Sequence, residues 1–363
     1  MTKYCKIKGN QKVFLLHLNK AASCCRANPI ELTNQSIDYY LDLWNHESKQ
    51  LEQGAELPGC NHCWNAESKG QLSYRQQPDI IDSNVVEIHI DNACNQMCSY
   101  CSPKFSSAWE NNIKQYGNFV DISKSAKKNL NVSIPDNRNN TEFWIDELQA
   151  FLNRGPVSLR LLGGEPLMQR RNLQRLLELN ADQITVLKIN TNLNPPNNKF
   201  LKWVLETFPK EKLVFEISLD TVPEYNAIPR AGFDVEKFEE NLSLLEQHGV
   251  EFLFLSVISV LNIFSIYKYQ DWLDKHGYRA KFSQLHNPDC LDSCYLPAEF
   301  KNSILKNPLP ELVSHILEYS PKLVDLKLFE QYNYLKQYFQ RTNTKITDPE
   351  LATYWNWLQE KYK

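Results

Sequence analysis

The chain has 363 residues, 40 basic and 43 acidic, so its formal net charge is −3 and it has no basic footprint for nucleic acid. Its apolar fraction of 42% is near the globular average, and its length suits one barrel-type domain with an appendage, or two to three small domains. The longest apolar run, residues 252–267, is interrupted by polar residues and is shorter than the roughly 20 apolar residues of a membrane span. We therefore expect neither nucleic acid nor a membrane as a partner.

Ten cysteines occur in a sequence that opens without the charged and apolar regions of a signal peptide. Cysteines without an export signal favour a reducing compartment and metal ligation over disulfides. These features predict a cytoplasmic protein whose cysteines bind metal.

In chain order, residues 1–83 are irregular and hold half of the cysteines, with a strand predicted at 13–18 and a helix at 37–44. From 84 to 286, strands alternate with amphipathic helices, which is typical of a parallel α/β sheet. The strands are predicted at 85–90, 157–162, 184–190, 213–219, 252–260 and 279–285. The helices are predicted at 106–116, 141–153, 173–179, 199–208, 235–248 and 266–276. Six strands predict a partial (β/α)6 TIM-like barrel rather than a closed eight-stranded one.

Two segments depart from this alternation. Residues 117–140 are polar and open on a Gly-Asn turn, so we expect an inserted surface loop. Residues 287–363 form a loop followed by a mostly helical, aromatic-rich C-terminal tail. A packing stripe at helical spacing is predicted in it from Leu326, Leu328, Phe329, Tyr332, Leu335 and Tyr338. The predicted domains are a cysteine-rich segment at 1–83, the barrel at 84–286 and the extension at 287–363.

The densest chemical motif follows the first barrel strand. Cys94, Cys98 and Cys101 are spaced C-x3-C-x2-C, and three thiols on one loop leave one over from any disulfide. Thiolates are the usual protein ligands of iron–sulfur clusters, and three of them on a four-iron cluster leave one iron open. The alternatives are a reactive cysteine group or a zinc site, but zinc usually takes four protein ligands and this loop supplies three.

A second cysteine group lies in the N-terminal segment. Cys60 and Cys63 form a C-x2-C pair, and Cys24 and Cys25 are adjacent in the chain. Two thiolates at this spacing face one ion or cluster, and the Cys24-Cys25 pair can supply the remaining ligands once the chain folds back. A structural zinc knuckle and buried, unligated thiols are the alternatives.

The second barrel strand ends in LLGGEP, with Gly163, Gly164 and Glu165 at the carboxyl rim, where parallel barrels build active sites. Glycines let the backbone approach a ligand closely, and Glu165 can accept hydrogen bonds from an ammonium group. A glycine pair alone is weak evidence for a binding site, but a pair in register with the cysteine loop is strong evidence for one.

Other polar side chains follow the later strands. They are Asn190, Thr191 and Asn192 after the third strand, Ser218 and Asp220 after the fourth, Arg230 further along, and His286 at the end of the sixth. The amides and hydroxyls suit ribose or carboxylate, and an arginine fork suits a carboxylate. Alternatively, Asp220 caps a turn, Arg230 is a surface residue and His286 is structural. Substrate binding or proton transfer is the functional hypothesis for His286.

The cysteine loop, the LLGGEP stretch and the Ser218–Arg230 pair together resemble radical S-adenosylmethionine (radical SAM) enzymes. The segment PGCNHCWNAESKGQLSYRQ at 58–76 and the Cys24-Cys25-Arg26 stretch resemble the twitch- and SPASM-type members, as do CSPKFSSAW at 101–109 and LDSCYLPAEFK at 291–301. These members hold an auxiliary iron–sulfur cluster in a cysteine-rich module. The resemblance implies Cys24, Cys25, Cys60 and Cys63 as its ligands, with Cys5 or Cys290 as a further candidate.

The resemblance also implies a reaction. A [4Fe-4S] cluster on Cys94, Cys98 and Cys101 would bind S-adenosylmethionine, with Gly163, Gly164, Glu165, Asn190, Asn192, Ser218 and Arg230 as its expected binding residues. Reductive cleavage would give a 5′-deoxyadenosyl radical that abstracts hydrogen from a substrate. The partners would be that substrate and a one-electron reductant such as flavodoxin or ferredoxin.

Within this class the resemblance favours an oxidoreductase that modifies a peptide or protein side chain. A dehydrogenase or epimerase of a small molecule, a sugar or an amino acid, is the alternative. A non-catalytic iron–sulfur or zinc-binding protein is the alternative from another class, although all three loop cysteines and the glycine pair are intact. The acidic balance disfavours an RNA-modifying enzyme.

Overall fold

In the computed structural model, the structure is described for residues 5–68, 73–76, 84–132, 141–285, 287–319 and 321–362. The strands are β1 (Gln11–Leu15), β2 (Lys20–Ala22), β3 (Ile30–Glu31), β4 (Val85–His89), β5 (Met97–Cys98), β6 (Val157–Leu162), β7 (Ile184–Thr191), β8 (Leu213–Ser218), β9 (Arg230–Ala231), β10 (Glu251–Ile258) and β11 (Ala280–Gln284). Within the described ranges, no helix combines the length and apolarity needed to cross a membrane.

The helices in the described ranges fall into those before and those after β8. The earlier ones are α1 (Lys6–Asn10), α2 (Ile37–Glu52), α3 (Asn61–Glu67), α4 (Ser107–Tyr116), α5 (Lys124–Leu130), α6 (Thr141–Leu152), α7 (Arg170–Glu178) and α8 (Lys199–Thr207). The later ones are α9 (Val235–His248), α10 (Ile266–His276), α11 (Ala298–Ile304), α12 (Glu311–Glu318), α13 (Val324–Thr342) and α14 (Pro349–Tyr362).

The chain divides into two compact units. The first comprises residues 1–92, 135–190 and 199–214, and the second comprises 93–134, 191–198 and 215–363. Each unit therefore collects segments that are far apart in the sequence.

In the first unit the strand order is β7-β6-β4-β1-β2-β3. The pairs β7–β6, β6–β4 and β4–β1 are parallel, whereas β1–β2 and β2–β3 are antiparallel. All five residues of β4 are buried, as expected for a strand covered on both faces. Helices α2 and α6 cover one face through aromatic contacts, with Phe14 against Trp44 and Tyr40 against Trp144 at centroid distances of 5.9 Å each.

In the second unit β10 and β11 pair in parallel, and β5 pairs with β9 in a separate antiparallel ribbon. Most strand pairs in the two units are parallel, so the fold is α/β with a mostly parallel sheet, as predicted. All six predicted barrel strands are present, and 157–162, 235–248 and 266–276 have the predicted bounds.

Three features of the structure were not predicted. The expected loop at 117–140 contains α5, whose N-cap Ser123 accepts a hydrogen bond from the backbone of Ala126. The N-terminal segment adds β1, β2 and β3 to the sheet, although only one strand was predicted there. The β5–β9 ribbon joins two-residue strands, which are too short to leave a periodic pattern.

The C-terminal tail is helical, as predicted, but its packing face differs. Leu326 and Phe329 of the predicted stripe are 50% and 45% exposed, and Gln331 and Tyr334 are buried instead. These two polar side chains are satisfied by hydrogen bonds to the carbonyl oxygens of Cys290 and Ser99. A stripe assigned from apolarity alone missed them, because polar groups are buried when they have partners.

Candidate active site

The three-cysteine loop follows β4 and is held by backbone contacts. In the β5–β9 ribbon Cys98 is the register partner of Arg230, and the amide of Ser99 donates to the carbonyl of Pro229 at 2.8 Å. Gly232 lies against the loop with φ +96°, and a Cβ there would be 2.7 Å from the carbonyl oxygen of Asn95. Residues 229–232 therefore form a backbone clamp on the cysteine loop, and only glycine fits at position 232.

Side chains of α4 and its N-cap hold the loop from another side. The Trp109 indole donates to the carbonyl of Cys98 at 2.9 Å, and Ser106 Oγ donates to the carbonyl of Gln96 at 2.6 Å. Ser107 Oγ accepts from the Cys94 amide at 3.1 Å. The helix that follows the loop thus fixes its backbone before any ligand binds.

The three cysteines form no disulfide, and Cys98 is more buried than Cys94 and Cys101. Burial raises the pKa of the Cys98 thiol despite the nearby Arg230 guanidinium, and it raises the pKa of Cys101 to about 12. Without a metal these thiols are protonated, so iron binding has to release their protons.

The donor set fits an iron–sulfur cluster, because three thiols of one loop are its ordinary ligands. In the part of the chain that the structure describes, no three or more His, Cys, Asp or Glu side chains are arranged around a single metal ion. The loop supplies three thiols, one fewer than the four protein ligands usual for zinc.

Arg230 lies in a buried network beside Cys98. Its Nε donates to Asp220 Oδ2 at 2.9 Å, its Nη2 donates to Asp220 Oδ1 at 3.3 Å and to the Tyr100 hydroxyl, and its Nη1 donates to Cys98 Sγ at 3.5 Å. Burial alone would lower the pKa of this guanidinium, but the charge of Asp220 holds it well above its usual range. Arg230 is therefore a charged donor to a candidate cluster ligand.

Asp220 completes the network. Its Oδ2 accepts from the Tyr100 hydroxyl at 2.8 Å and its Oδ1 accepts from the Val257 amide at 2.9 Å. Tyr100 stands between two of the loop cysteines and Asp220 follows β8, so the network connects the loop to the sheet of the second unit. A residue that only caps a turn would not make these contacts with Tyr100 and Val257.

Asn192 also reaches the loop. Its Nδ2 lies 4.0 Å from Cys94 Sγ and donates to Asn95 Oδ1 at 3.1 Å, while its Oδ1 accepts from the Asn194 amide. The neighbouring Thr191 is buried, with its hydroxyl accepting from the Leu193 amide at 2.8 Å. Asn190 and Ser218 are half-buried at the ends of β7 and β8.

The glycine pair lies in the first unit, at the end of β6. Gly163 has φ +125°, and a Cβ there would be 2.9 Å from the carbonyl oxygen of Asp91, to which the Gly164 amide donates at 3.1 Å. Glu165 is buried, and its carboxylate accepts from the Leu167 amide at 3.0 Å. The close approach of β6 to the end of β4 already requires glycine, and the role of these residues toward S-adenosylmethionine stays a prediction.

Four N-terminal cysteines line one cavity in the first unit. They are Cys5, Cys24, Cys60 and Cys63. Cys25 is exposed and is not among the lining residues. The cavity volume is about 20 Å³, space for roughly one water molecule, so a cluster would require the thiols to move apart.

Two cations flank this cavity. Lys8 is ion-paired to Glu47 at 2.7 Å, and its Nζ lies 3.8 Å from Cys60 Sγ. Arg75 donates to Glu67 Oε1 at 2.6 Å and lies 4.6 Å from the centre of the Trp64 ring. Each cation is paired with a carboxylate, and burial raises the pKa of the Cys5 and Cys60 thiols, so metal binding has to release their protons.

The remaining candidates lie elsewhere. Cys290 is buried in the second unit, and burial raises its pKa to about 12. His286 lies outside the described residues. The contacts of Tyr100, Asp220 and Asn192 with the cysteine loop were not predicted, because they arise from strands far apart in the sequence.

Two solved structures are similar to this chain over part of their length. Native anSMEcpe with bound AdoMet is similar at 21% identity over 56% of this chain and 52% of that chain, with a TM-score of 0.40. Streptococcus suis SuiB bound to S-adenosylmethionine is similar at 14% identity over 83% of this chain and 57% of that chain, with a TM-score of 0.39. This chain therefore spans just over half the length of these structures. No curated protein matches it.

A family model described as the Radical SAM superfamily matches residues 88–272, half of the chain. The match includes the cysteine loop, the glycine pair and Arg230. The chain belongs to the radical SAM superfamily, whose members are enzymes that use S-adenosylmethionine and an iron–sulfur cluster.

Proposed function

We propose that this chain is a radical SAM oxidoreductase in which Cys94, Cys98 and Cys101 hold a [4Fe-4S] cluster. With S-adenosylmethionine bound, that cluster supplies a 5′-deoxyadenosyl radical for abstracting hydrogen from a substrate. The observation that carries the proposal is a loop of three cysteines outside any disulfide, clamped at Cys98 by β9, within the segment matched by the family.

The protein's part is to position the reactants and exclude water. Asn192 contacts the loop beside Cys94 and is the predicted cofactor-binding residue that the second unit's geometry supports best. Gly163, Gly164, Glu165, Asn190 and Ser218 remain proposed contacts of S-adenosylmethionine. Arg230 is less suited to its carboxylate, because its fork is already engaged by Asp220.

We also propose an auxiliary iron–sulfur site, held by Cys5, Cys24, Cys60 and Cys63 rather than by Cys25 or Cys290. Four thiols around one cavity match the four-thiolate donor set of a cluster. A zinc ion held by the same four thiols is the alternative. Residues 1–83 would then be an auxiliary module, followed by the partial barrel and the C-terminal extension.

For the substrate, we propose a peptide or protein side chain, on the resemblance of the N-terminal segment to twitch- and SPASM-type members. The proposed setting is the cytoplasm, with flavodoxin or ferredoxin as the electron donor. A small-molecule dehydrogenase or epimerase is the second candidate. A precursor-peptide gene beside this one would favour the first.

The test is anaerobic reconstitution with iron and sulfide, then reduction in the presence of S-adenosylmethionine. We expect 5′-deoxyadenosine from the unaltered chain and none from the triple variant Cys94→Ala, Cys98→Ala, Cys101→Ala. A cluster that forms without cleaving S-adenosylmethionine would instead indicate a non-catalytic protein. Unchanged iron content in the triple variant would overturn the site.

A further inference from the structure

Arg230 is buried beside a candidate ligand of the proposed cluster and paired with one carboxylate. The side chains of Arg230 and Asp220 are 7% and 0% exposed, and their closest N–O distance is 2.9 Å. Burying such a pair is costly, and the two-contact fork between them recovers part of the cost. The chain therefore maintains a fixed positive group at this position.

The guanidinium is oriented toward sulfur. While Nε and Nη2 engage Asp220, Nη1 donates to Cys98 Sγ at 3.5 Å. The backbone reinforces this contact, because Cys98 and Arg230 are register partners in the β5–β9 ribbon. The counterion is held separately, because Asp220 Oδ1 also accepts from the Val257 amide. The cation rather than the carboxylate is thus the charged group that bonds to the candidate ligand sulfur.

Hydrogen bonds to ligand sulfurs and the net charge around a cluster set its reduction potential. A positive donor favours the reduced form, which carries one more negative charge, and a nearby carboxylate opposes it. From this geometry we infer that Arg230 is a positioning residue that raises the potential of the cluster on Cys94, Cys98 and Cys101, and that Asp220 holds it in place. This inference rests on the proposed function, since it requires a cluster on the loop.

The test is a potentiometric titration of the reconstituted protein, followed by electron paramagnetic resonance without S-adenosylmethionine or substrate. Asp220→Asn keeps the cation and removes the anion, so the potential should rise. The double variant Asp220→Asn, Arg230→Gln removes both charges and the sulfur contact without leaving a lone buried carboxylate. Its potential should be lower than that of the unaltered chain by roughly 59 mV. For a one-electron reduction this corresponds to an equilibrium constant about tenfold less favourable.

Arg341→Gln is the matched control, because Arg341 is a partly buried arginine of the second unit that donates to the carbonyls of Gly117 and Asn118. Its potential should equal that of the unaltered chain. A purely structural role would change cluster content in the variants without moving their potentials in opposite directions.

Three outcomes overturn the inference. One is an unchanged or lowered potential in Asp220→Asn, which decides the matter even if the double variant does not fold. Another is a double variant whose potential equals that of the unaltered chain at equal cluster content. The third is an unaltered chain that binds no cluster on this loop, which refutes the proposed function as well and is recognised by the missing signal.

Discussion

The two cysteine groups of this protein are built in different ways. In the second unit, Cys94, Cys98 and Cys101 share one loop whose backbone is bonded to β9 and α4. In the first unit, Cys5 and Cys24 belong to an apolar cluster with Ile7 and Leu51 and face the C-x2-C pair across a small cavity. The loop is preorganised by hydrogen bonds, whereas the N-terminal group is assembled by hydrophobic burial.

This difference suggests different sensitivities. A loop with bonded carbonyls and amides retains its shape when a ligand is absent. A set of thiols gathered from distant segments keeps its geometry only while their packing holds. Variants of the two groups should therefore separate the start of the reaction from whatever the second site contributes.

The largest expected effect is on the loop. Cys98→Ala should reduce formation of 5′-deoxyadenosine to background, because it removes a proposed ligand of the cluster. Changing a residue that only contacts a ligand typically costs roughly 10–100-fold, so the loss here should be greater. The measurement is chromatographic quantitation of 5′-deoxyadenosine under anaerobic reduction. Cys294→Ala, a buried cysteine of the same unit, is the control and should leave the product detectable.

The next effect tests the N-terminal group. Cys63→Ala should remove about half of the iron and sulfide of the reconstituted protein, because one of two clusters is lost. Cys25→Ala should leave both unchanged, since Cys25 lies outside the cavity. Equal losses in both variants would show that the ligand set is not the one lining the cavity.

A smaller effect is expected from the backbone clamp. Gly232→Ala should lower the unfolding free energy by at least about 1–3 kcal/mol, the cost of a strained backbone, and by more because its Cβ meets Asn95. Gly117→Ala has a similarly positive φ of +73° with nothing within 4 Å of its Cβ, so it isolates the strain. The difference between the two in thermal or denaturant unfolding measures the clash, and equal losses would contradict the clamp.

The smallest effect concerns the C-terminal helix α13. The Tyr338 hydroxyl lies 2.9 Å from the carbonyl of Ile228 and 3.3 Å from that of Met97. Tyr338→Phe should cost about 1–3 kcal/mol, because buried carbonyls lose a donor, and should speed amide exchange within residues 97–99.

Tyr354→Phe is the control, since Tyr354 is an equally buried tyrosine whose hydroxyl donates to Gln331 instead of the loop. It should cost a comparable amount of stability without selective exchange at the loop. Equal exchange rates at 97–99 in both variants would mean that α13 does not support the cysteine loop.

Much of the framework was predictable because it is local. The alternation of strands and helices depends on apolar periodicity, so the bounds of β6, α9 and α10 were predicted to the residue. The polar stretch at 117–140 was misjudged, because the short helix α5 has its N-cap but little apolar periodicity. The exposed Leu326 and Phe329 were misjudged for the opposite reason, because apolarity alone does not determine which face is covered.

The amino-acid sequence by itself determined that three thiols share one loop, because the C-x3-C-x2-C spacing needs no distant partner to bring them together. Only the tertiary structure decided which N-terminal cysteines share a cavity, and that Arg230 donates to Cys98. Arg230 and Cys98 are 132 positions apart in the sequence. No local pattern records such a pair, since its geometry comes from the packing of whole strands and helices.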